Sequence, residues 1–337
     1  MLFPTMLRAP RLLTTLPLLA LVLTGAVSSA HAATAVKSPA TARAATPRVV
    51  VPKAVTAKAT ATRASAAEPD VRSASMLVLD TQTSAVLLAR NADQAAPIAS
   101  ITKLMTSLVV VEANQPMDEV ITVTADDQRA TLGNRSHLAV GTKLSRGELM
   151  HLALMASENR AANALGRSYP GGMPALVAAM NAKAAELGMS RSHFVEPTGL
   201  SSQNVASPQD LSRLVAAAAR QPTLRRYSTD AKFSVRAGRQ EVQFVNTNLL
   251  VRGSGWDIVL QKTGHINEAG QCLVMKTLIE GRDVIIVLLN SFGKYTRTAD
   301  ARRIRKWMES TSGWRNAITL AQTRTAGSGS GRLASID

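Results

Sequence analysis

An α+β fold is predicted: a five-stranded antiparallel sheet flanked by helices, with a mostly helical insertion between its strands. Three observations predict it. Two β-prone runs, Ser73 to Leu79 and Ala85 to Ala89, stand near the front of the chain. Three more, Asp257 to His265, Cys272 to Ile279 and Val284 to Asn290, stand near the back. Between the two groups the apolar residues recur at helical rather than strand spacing. One sheet that joins both ends of the chain accounts for all three.

The chain starts with an address. Arg8 and Arg11 precede the apolar run Leu12 to Val27, and Ala30-His31-Ala32 is a small-residue cleavage signal. Thr14, Thr15, Pro17, Thr24 and Gly25 interrupt that run, which makes it a poor match to the ~20 apolar residues of a membrane span. Residues 1–32 therefore read as a signal peptide cleaved after Ala32, and the mature protein is expected in the periplasm. No cysteine adjoins the cleavage site, so no lipid anchor is signalled. Residues 33–69 are rich in Ala, Thr and Pro, with six basic residues against Glu68. They read as a disordered basic tether, with ends roughly 35 Å apart as a random coil. The folded domain is expected over 70–312. A flexible tail follows over 313–337, where Gly327-Ser328-Gly329-Ser330-Gly331 favours fraying.

Within the domain, Asp80-Thr81-Gln82-Thr83-Ser84 turns the first two strands into a hairpin. Ile101, Leu104, Met105, Leu108 and Val109 follow at i, i+3, i+4, i+7 and i+8, which predicts a helix starting at Ser100 with one side in the core. Glu119 to Val123 alternates briefly. Ser145 and Glu148 form a capping box for a helix through Met155. A helical run through Asn163 to Leu165 ends at Tyr169-Pro170-Gly171-Gly172, and another spans Pro174 to Leu187 before Gly188. Ser207-Pro208 starts a helix to about Ala219, serine as N-cap and proline at the first helical position. Glu268-Ala269-Gly270 and Glu280-Gly281-Arg282-Asp283 are the turns of the closing three-stranded meander, and Thr298 to Ser310 is the last helix.

Composition excludes several functions. The apolar fraction of 46% supports a core, and 3% aromatics is few for stacking single-stranded nucleic acid. The formal charge of +16 suits acidic cell-wall peptides or anionic lipids better than nucleic acid in an exported protein. Cys272 is the single cysteine, so no disulfide framework is expected and it reads as a core residue. His31, His137, His151, His193 and His265 show no metal-ligand spacing. No metal and no cofactor are expected. There is no Gly-x-Ser-x-Gly elbow.

The chemistry starts at Ser100-Ile101-Thr102-Lys103. Residues three apart on a helix share a face. A neutral lysine amine there can take the serine proton and make an acylating nucleophile without histidine. The pattern recurs at Ser291-Phe292-Gly293-Lys294, which reads as a strand end and turn. Two further motifs complete the first copy: Ser157-Glu158-Asn159 and, on a predicted strand, Lys262-Thr263-Gly264. A second Ser-x-Asn, at Ser202-Gln203-Asn204, makes that motif weak by itself.

The three motifs in this order resemble the serine penicillin-recognising enzymes, the penicillin-binding proteins and serine β-lactamases. Phe194-Val195-Glu196-Pro197-Thr198-Gly199-Leu200 and Ser207-Pro208-Gln209-Asp210-Leu211 resemble the D-alanyl-D-alanine carboxypeptidase family. Ser157 to Ala162 and Glu268 to Val274 look closer to its D-alanyl-D-alanine endopeptidase branch. The resemblance covers about Ser73 to Glu309 and implies a transpeptidase-like fold.

It also implies roles. Ser100 attacks the carbonyl of the penultimate D-alanine, with Lys103 as base and its pKa lowered by burial and a nearby cation such as Lys262. Ser157 relays a proton to the leaving amine. Asn159 fixes Lys103 and the substrate amide. Lys262 and Thr263 hold a carboxylate. Gly264 lets substrate lie along the strand. The backbone N–H groups of Ser100 and His265 form the oxyanion hole. Glu158 is expected to face solvent, and His265 to contribute only its backbone.

The implied substrates are peptidoglycan peptides, and the implied inhibitors are β-lactams. Cleavage of D-alanyl cross-links is favoured over trimming of terminal D-alanine, because no second β-rich domain or amphipathic anchor follows the closing helix, and no stable membrane anchor is expected. A β-lactamase would need a base for fast deacylation that the sequence does not show. A non-catalytic wall-binding or β-lactam-sensing protein is the alternative from another class, and the intact motifs argue against it.

Overall fold

The computed structural model describes residues 68–310 except 132, 133 and 135. The expected signal peptide, the expected tether to residue 67 and the expected tail lie outside the described residues. The elements run β1 (Ser73–Asp80), β2 (Val86–Arg90), β3 (Ala96–Pro97), a 3-10 turn (Ala99–Ile101), α1 (Thr102–Glu112), β4 (Val120–Thr122), α2 (Ala125–Ala130), β5 (Lys143–Ser145), α3 (Arg146–Met155), α4 (Asn159–Arg167), α5 (Gly172–Glu186), β6 (Val205–Ala206), α6 (Pro208–Ala218), α7 (Pro222–Thr229), β7 (Lys232–Ala237), β8 (Gln240–Val245), α8 (Leu249–Arg252), β9 (Asp257–Ile266), β10 (Gly270–Ile279), β11 (Arg282–Ser291) and α9 (Thr296–Ser310).

The main sheet is antiparallel with the order β2-β1-β11-β10-β9, so front and back strands meet as predicted. Strand β1 pairs with β11, with Leu77 opposite Val287 and Leu79 opposite Ile285. The central strand β11 is apolar on both faces. Ile285, Val287 and Leu289 join a core shared with the helical insertion. Val284, Ile286 and Leu288 join a second core with Ala301, Ile304, Trp307 and Met308 of α9. That is why Val284 to Leu289 reads as a continuous apolar run rather than an alternation. Asp300 of α9 ties the closing helix to the first strand: its carboxylate accepts the Ser73 N–H at 2.8 Å and the Ser73 hydroxyl at 2.7 Å.

Two departures from the sequence reading matter for the site. Helix α1 does not bury one side. Thr102 through Val110 are all buried, because α3, α4, α5 and α6 pack around it. Its two buried threonines are satisfied inside: the Thr102 hydroxyl bonds the Ala99 carbonyl at 2.8 Å, and the Thr106 hydroxyl bonds the Pro197 carbonyl at 2.8 Å, whereas the buried Ser107 hydroxyl has no partner among the described residues. The second departure is the hairpin β7–β8, which the sequence analysis did not include. Phe233 faces Phe244 and Val235 faces Val242 across it, and it leads directly to Thr247 beside the site.

Candidate active site

Ser100 sits in the 3-10 turn ahead of α1, two residues before the α-helix proper. The turn is held tightly. Ala99 takes a positive φ of 48°, an uncommon conformation for a residue with a Cβ. Two glycines press against it. A Cβ on Gly199, itself at φ +79°, would lie 1.9 Å from the Ala99 carbonyl oxygen. A Cβ on Gly264 would lie 2.8 Å from the Ile98 carbonyl oxygen and 3.1 Å from the Ser100 nitrogen. The sequence reading gave Gly264 the task of leaving room for substrate. Its missing side chain makes room for the nucleophile's own turn. Gly199→Ala is therefore expected to cost at least about 3 kcal/mol, since strain and a backbone clash combine. The corresponding fall in Tm, roughly 6 °C or more, is measurable by differential scanning calorimetry.

The serine and lysine meet as the spacing predicts. Lys103 Nζ lies 2.8 Å from Ser100 Oγ, 2.7 Å from Asn159 Oδ1 and 2.6 Å from the Thr198 carbonyl oxygen. A neutral amine has two N–H donors and one lone pair. Asn159 Oδ1 and the Thr198 carbonyl take the two donors, since neither can donate. The lone pair is then left facing the Ser100 hydroxyl, the arrangement a general base needs. Burial pushes the Lys103 ammonium down to about 7, against the opposing pull of Glu196 and then Glu158.

Ser157 lies in the α3–α4 connection with a positive φ of 60°, and Asn159 is the first residue of α4. The α4 cap is Glu158, whose side chain accepts the Arg160 N–H. Glu158 is 7% exposed, which corrects the expectation that it faces solvent. Capping draws it inward, and its charge favours the ammonium form of Lys103.

Lys262 is fully buried on β9, its Nζ 2.9 Å from Ser157 Oγ and 2.8 Å from the Thr263 carbonyl oxygen. Its ammonium is pushed well below the usual lysine range, first by burial, then by the charges of Lys103 and Arg297. The sequence reading cast Lys262 as the cation that depresses Lys103. Lys262 is not among the causes that lower Lys103, whereas the Lys103 charge is among those that lower Lys262, which is as buried and also faces Arg297. The Thr263 hydroxyl is 2.6 Å from the Thr247 hydroxyl.

Ser100, Ser157, Asn159, Thr263, Gly264 and His265 all line one cleft of about 550 Å³, with Thr247 and Arg297. Thus the three motifs, distant in sequence, converge. The second serine-lysine copy does not join them: Ser291 ends β11 and its hydroxyl contacts Ser73 Oγ at 2.6 Å. Cys272 is buried and its thiol pushed up to about 11, chiefly by burial. The ring Nδ1 of the exposed His265 lies 3.2 Å from the Gly270 carbonyl oxygen.

Sequence reasoning missed four contributors, of which Thr247, bonded to Thr263, is one. Arg297 of α9 donates to the Gly264 carbonyl at 2.7 Å and the Cys272 carbonyl at 3.1 Å. No local pattern marks it, because it reaches β9 and β10 only through the packing of α9. Glu196 accepts the N–H groups of Thr198 and Gly199, each at 2.6 Å, and so aims the Thr198 carbonyl at Lys103. Asn204 donates to Glu196 Oε1 at 2.7 Å. The Glu-x-Thr-Gly spacing was visible, but its role as a turn held by its own carboxylate was not.

A serine bonded to a buried lysine of lowered pKa, on a turn clamped between two glycines, defines an enzyme that acts through an acyl-serine. The sequence pattern of a family described as D-alanyl-D-alanine carboxypeptidase matches residues 61–293. The D-alanyl-D-alanine endopeptidase of Pseudomonas aeruginosa is 47% identical over 244 residues, covering 72% of this chain and 79% of that protein. The D-alanyl-D-alanine endopeptidase of Escherichia coli is 44% identical over 248 residues, with the same two coverages. The crystal structure of the Streptomyces K15 DD-transpeptidase superimposes with a TM-score of 0.68 at 25% identity, covering 73% of this chain and all of that one. The chain belongs to the D-alanyl-D-alanine carboxypeptidase family of serine peptidases.

Proposed function

We propose that the chain is a peptidoglycan D-alanyl-D-alanine endopeptidase that opens D-alanyl cross-links through an acyl-enzyme on Ser100. The observation that carries the chemistry is the Lys103 amine, bonded to Ser100, Asn159 and the Thr198 carbonyl at once. The choice of cross-links over terminal D-alanine rests on the two relatives named endopeptidases.

In the acylation step, Ser100 Oγ bonds to the D-alanyl carbonyl carbon while its proton passes to Lys103. The oxyanion is received by the backbone N–H groups of Ser100 and His265. The amide C–N bond then breaks. Ser157, bonded to Lys262, gives its proton to the leaving amine, and the proton held by Lys103 replaces it. Water hydrolyses the ester and restores Ser100. Lys262 is buried behind Ser157, whereas Thr263 and Arg297 line the cleft. The carboxylate next to the scissile bond is therefore assigned to Thr263 and Arg297, with Lys262 serving the proton relay. β-Lactams acylate the same serine.

The N-terminal residues support export: residues 1–32 have the form of a signal peptide, and the basic tether would follow it to a domain starting near residue 70. No helix among the described residues is long and apolar enough to cross a membrane.

Purified protein digesting defined muropeptides tests the substrate. Cross-linked dimers should become monomers faster than pentapeptide monomers lose D-alanine. An enzyme that trims pentapeptides and leaves dimers intact is a carboxypeptidase with the same catalytic residues.

A further inference from the structure

A second cavity of about 460 Å³ opens beside the catalytic cleft and shares Thr247, His265 and Arg297 with it. Its other walls include Arg252 at the end of α8, and Lys294 and Tyr295 in the β11–α9 connection. These elements flank the three-stranded β9–β11 meander in sequence, and the sheet brings them together. Arg252, Lys294 and Arg297 give this annex three cations, and no acidic side chain among the described residues lines it. Glu268 is the acid in the lining of the neighbouring cleft. Arg252 and Lys294 are exposed and have no acidic partner among the described residues. Lys294 lies over the Tyr295 ring, its Nζ 5.5 Å from the centroid, a contact that keeps the cation beside the cavity without neutralising it.

Arg297 marks the order along the groove. It faces both cavities, so the annex begins where the carboxylate next to the scissile bond would sit. A terminal D-alanine ends there. A cross-linked substrate continues, and its leaving stem carries further free carboxylates. Resting on the endopeptidase reading, we propose that the annex is a subsite for the leaving peptide stem, with Arg252 and Lys294 binding a carboxylate of that stem beyond the scissile bond.

Arg252 and Lys294 lie outside the acylating cluster, and their charges are solvent-exposed. Exposed charges act mainly on encounter and weak binding, with strong salt dependence. The double variant Arg252→Ala/Lys294→Ala should therefore raise KM for cross-linked dimers about tenfold. Acylation by penicillin and pentapeptide trimming should stay within twofold of wild type. Raising salt to 0.5 M should bring wild type toward the variant on dimers. Amidating the leaving stem's carboxylates other than the one next to the scissile bond should slow wild type and leave the variant indifferent. Equal slowing of dimers and penicillin acylation, or dimers cut as well by the variant as by wild type, overturns the subsite. Calorimetric binding of the free tetrapeptide stem to both proteins separates this inference from the endopeptidase reading. Should wild type leave dimers uncut yet bind the stem more tightly than the variant does, the endopeptidase reading fails and the annex stands. Equal stem binding by both proteins overturns the annex.

Discussion

Ser100→Ala is expected to lose penicillin acylation and peptidase activity by at least about 10³-fold, the scale seen when a covalent nucleophile is removed. The loss should be in acylation itself and not in folding. The substitution deletes one hydroxyl from a turn whose shape is set by Ala99, Gly199 and Gly264. The control is Ser291→Ala, the second serine with a lysine three residues on. Its hydroxyl bonds Ser73, so that variant should label with fluorescent penicillin as wild type does. Retained labelling of Ser100→Ala, or lost labelling of a folded Ser291→Ala, contradicts the assignment.

Lys103→Ala should abolish acylation almost as fully, because no other base touches Ser100 among the described residues. The pH dependence carries the sign. The active form is the neutral amine, and burial holds its ammonium at about 7. Below that value each unit of falling pH should cost about tenfold in acylation rate; above it the rate should level off. Stopped-flow acylation from pH 5 to 9 measures this. A rate still climbing tenfold per unit at pH 9 would mean an ordinary lysine, and a flat rate would mean that Lys103 is not the base.

The sheet was legible from the chain because β1, β10 and β11 are apolar enough to declare themselves. The union of front and back strands followed from their being unpartnered otherwise. Helix α1 was placed correctly and its burial was not, since Thr102, Thr106 and Ser107 look like a polar face. They are buried all the same, the two threonines bonded to the Ala99 and Pro197 carbonyls, and a hydroxyl that bonds backbone cannot be told from a solvated one by spacing. Hairpin β7–β8 was legible and was missed: Lys232-Phe233-Ser234-Val235-Arg236-Ala237 alternates strictly, Gly238-Arg239 supplies a turn, and only Gln240-Glu241 blurs the second strand.

At the site, Ser100, Lys103, Ser157, Asn159 and the Lys262-Thr263-Gly264 strand were legible because each belongs to a short motif. Arg297, Glu196 and Thr247 were not, because their roles come from tertiary packing. Arg297 bonds two carbonyls on neighbouring strands, Glu196 folds a loop around its own carboxylate, and Thr247 reaches Thr263 across the end of a hairpin. Glu158 was misplaced for a related reason: a charged residue beside a motif looks solvated until its capping bond is seen.

The most direct measurement is mass spectrometry of the peptides from purified protein after a short pulse of penicillin at pH 8. One adduct is expected, on the peptide that contains Ser100, and it should be absent when Lys103 is alanine. An adduct on Ser157, Ser291 or any other residue, or full labelling without Lys103, would contradict the serine-lysine mechanism.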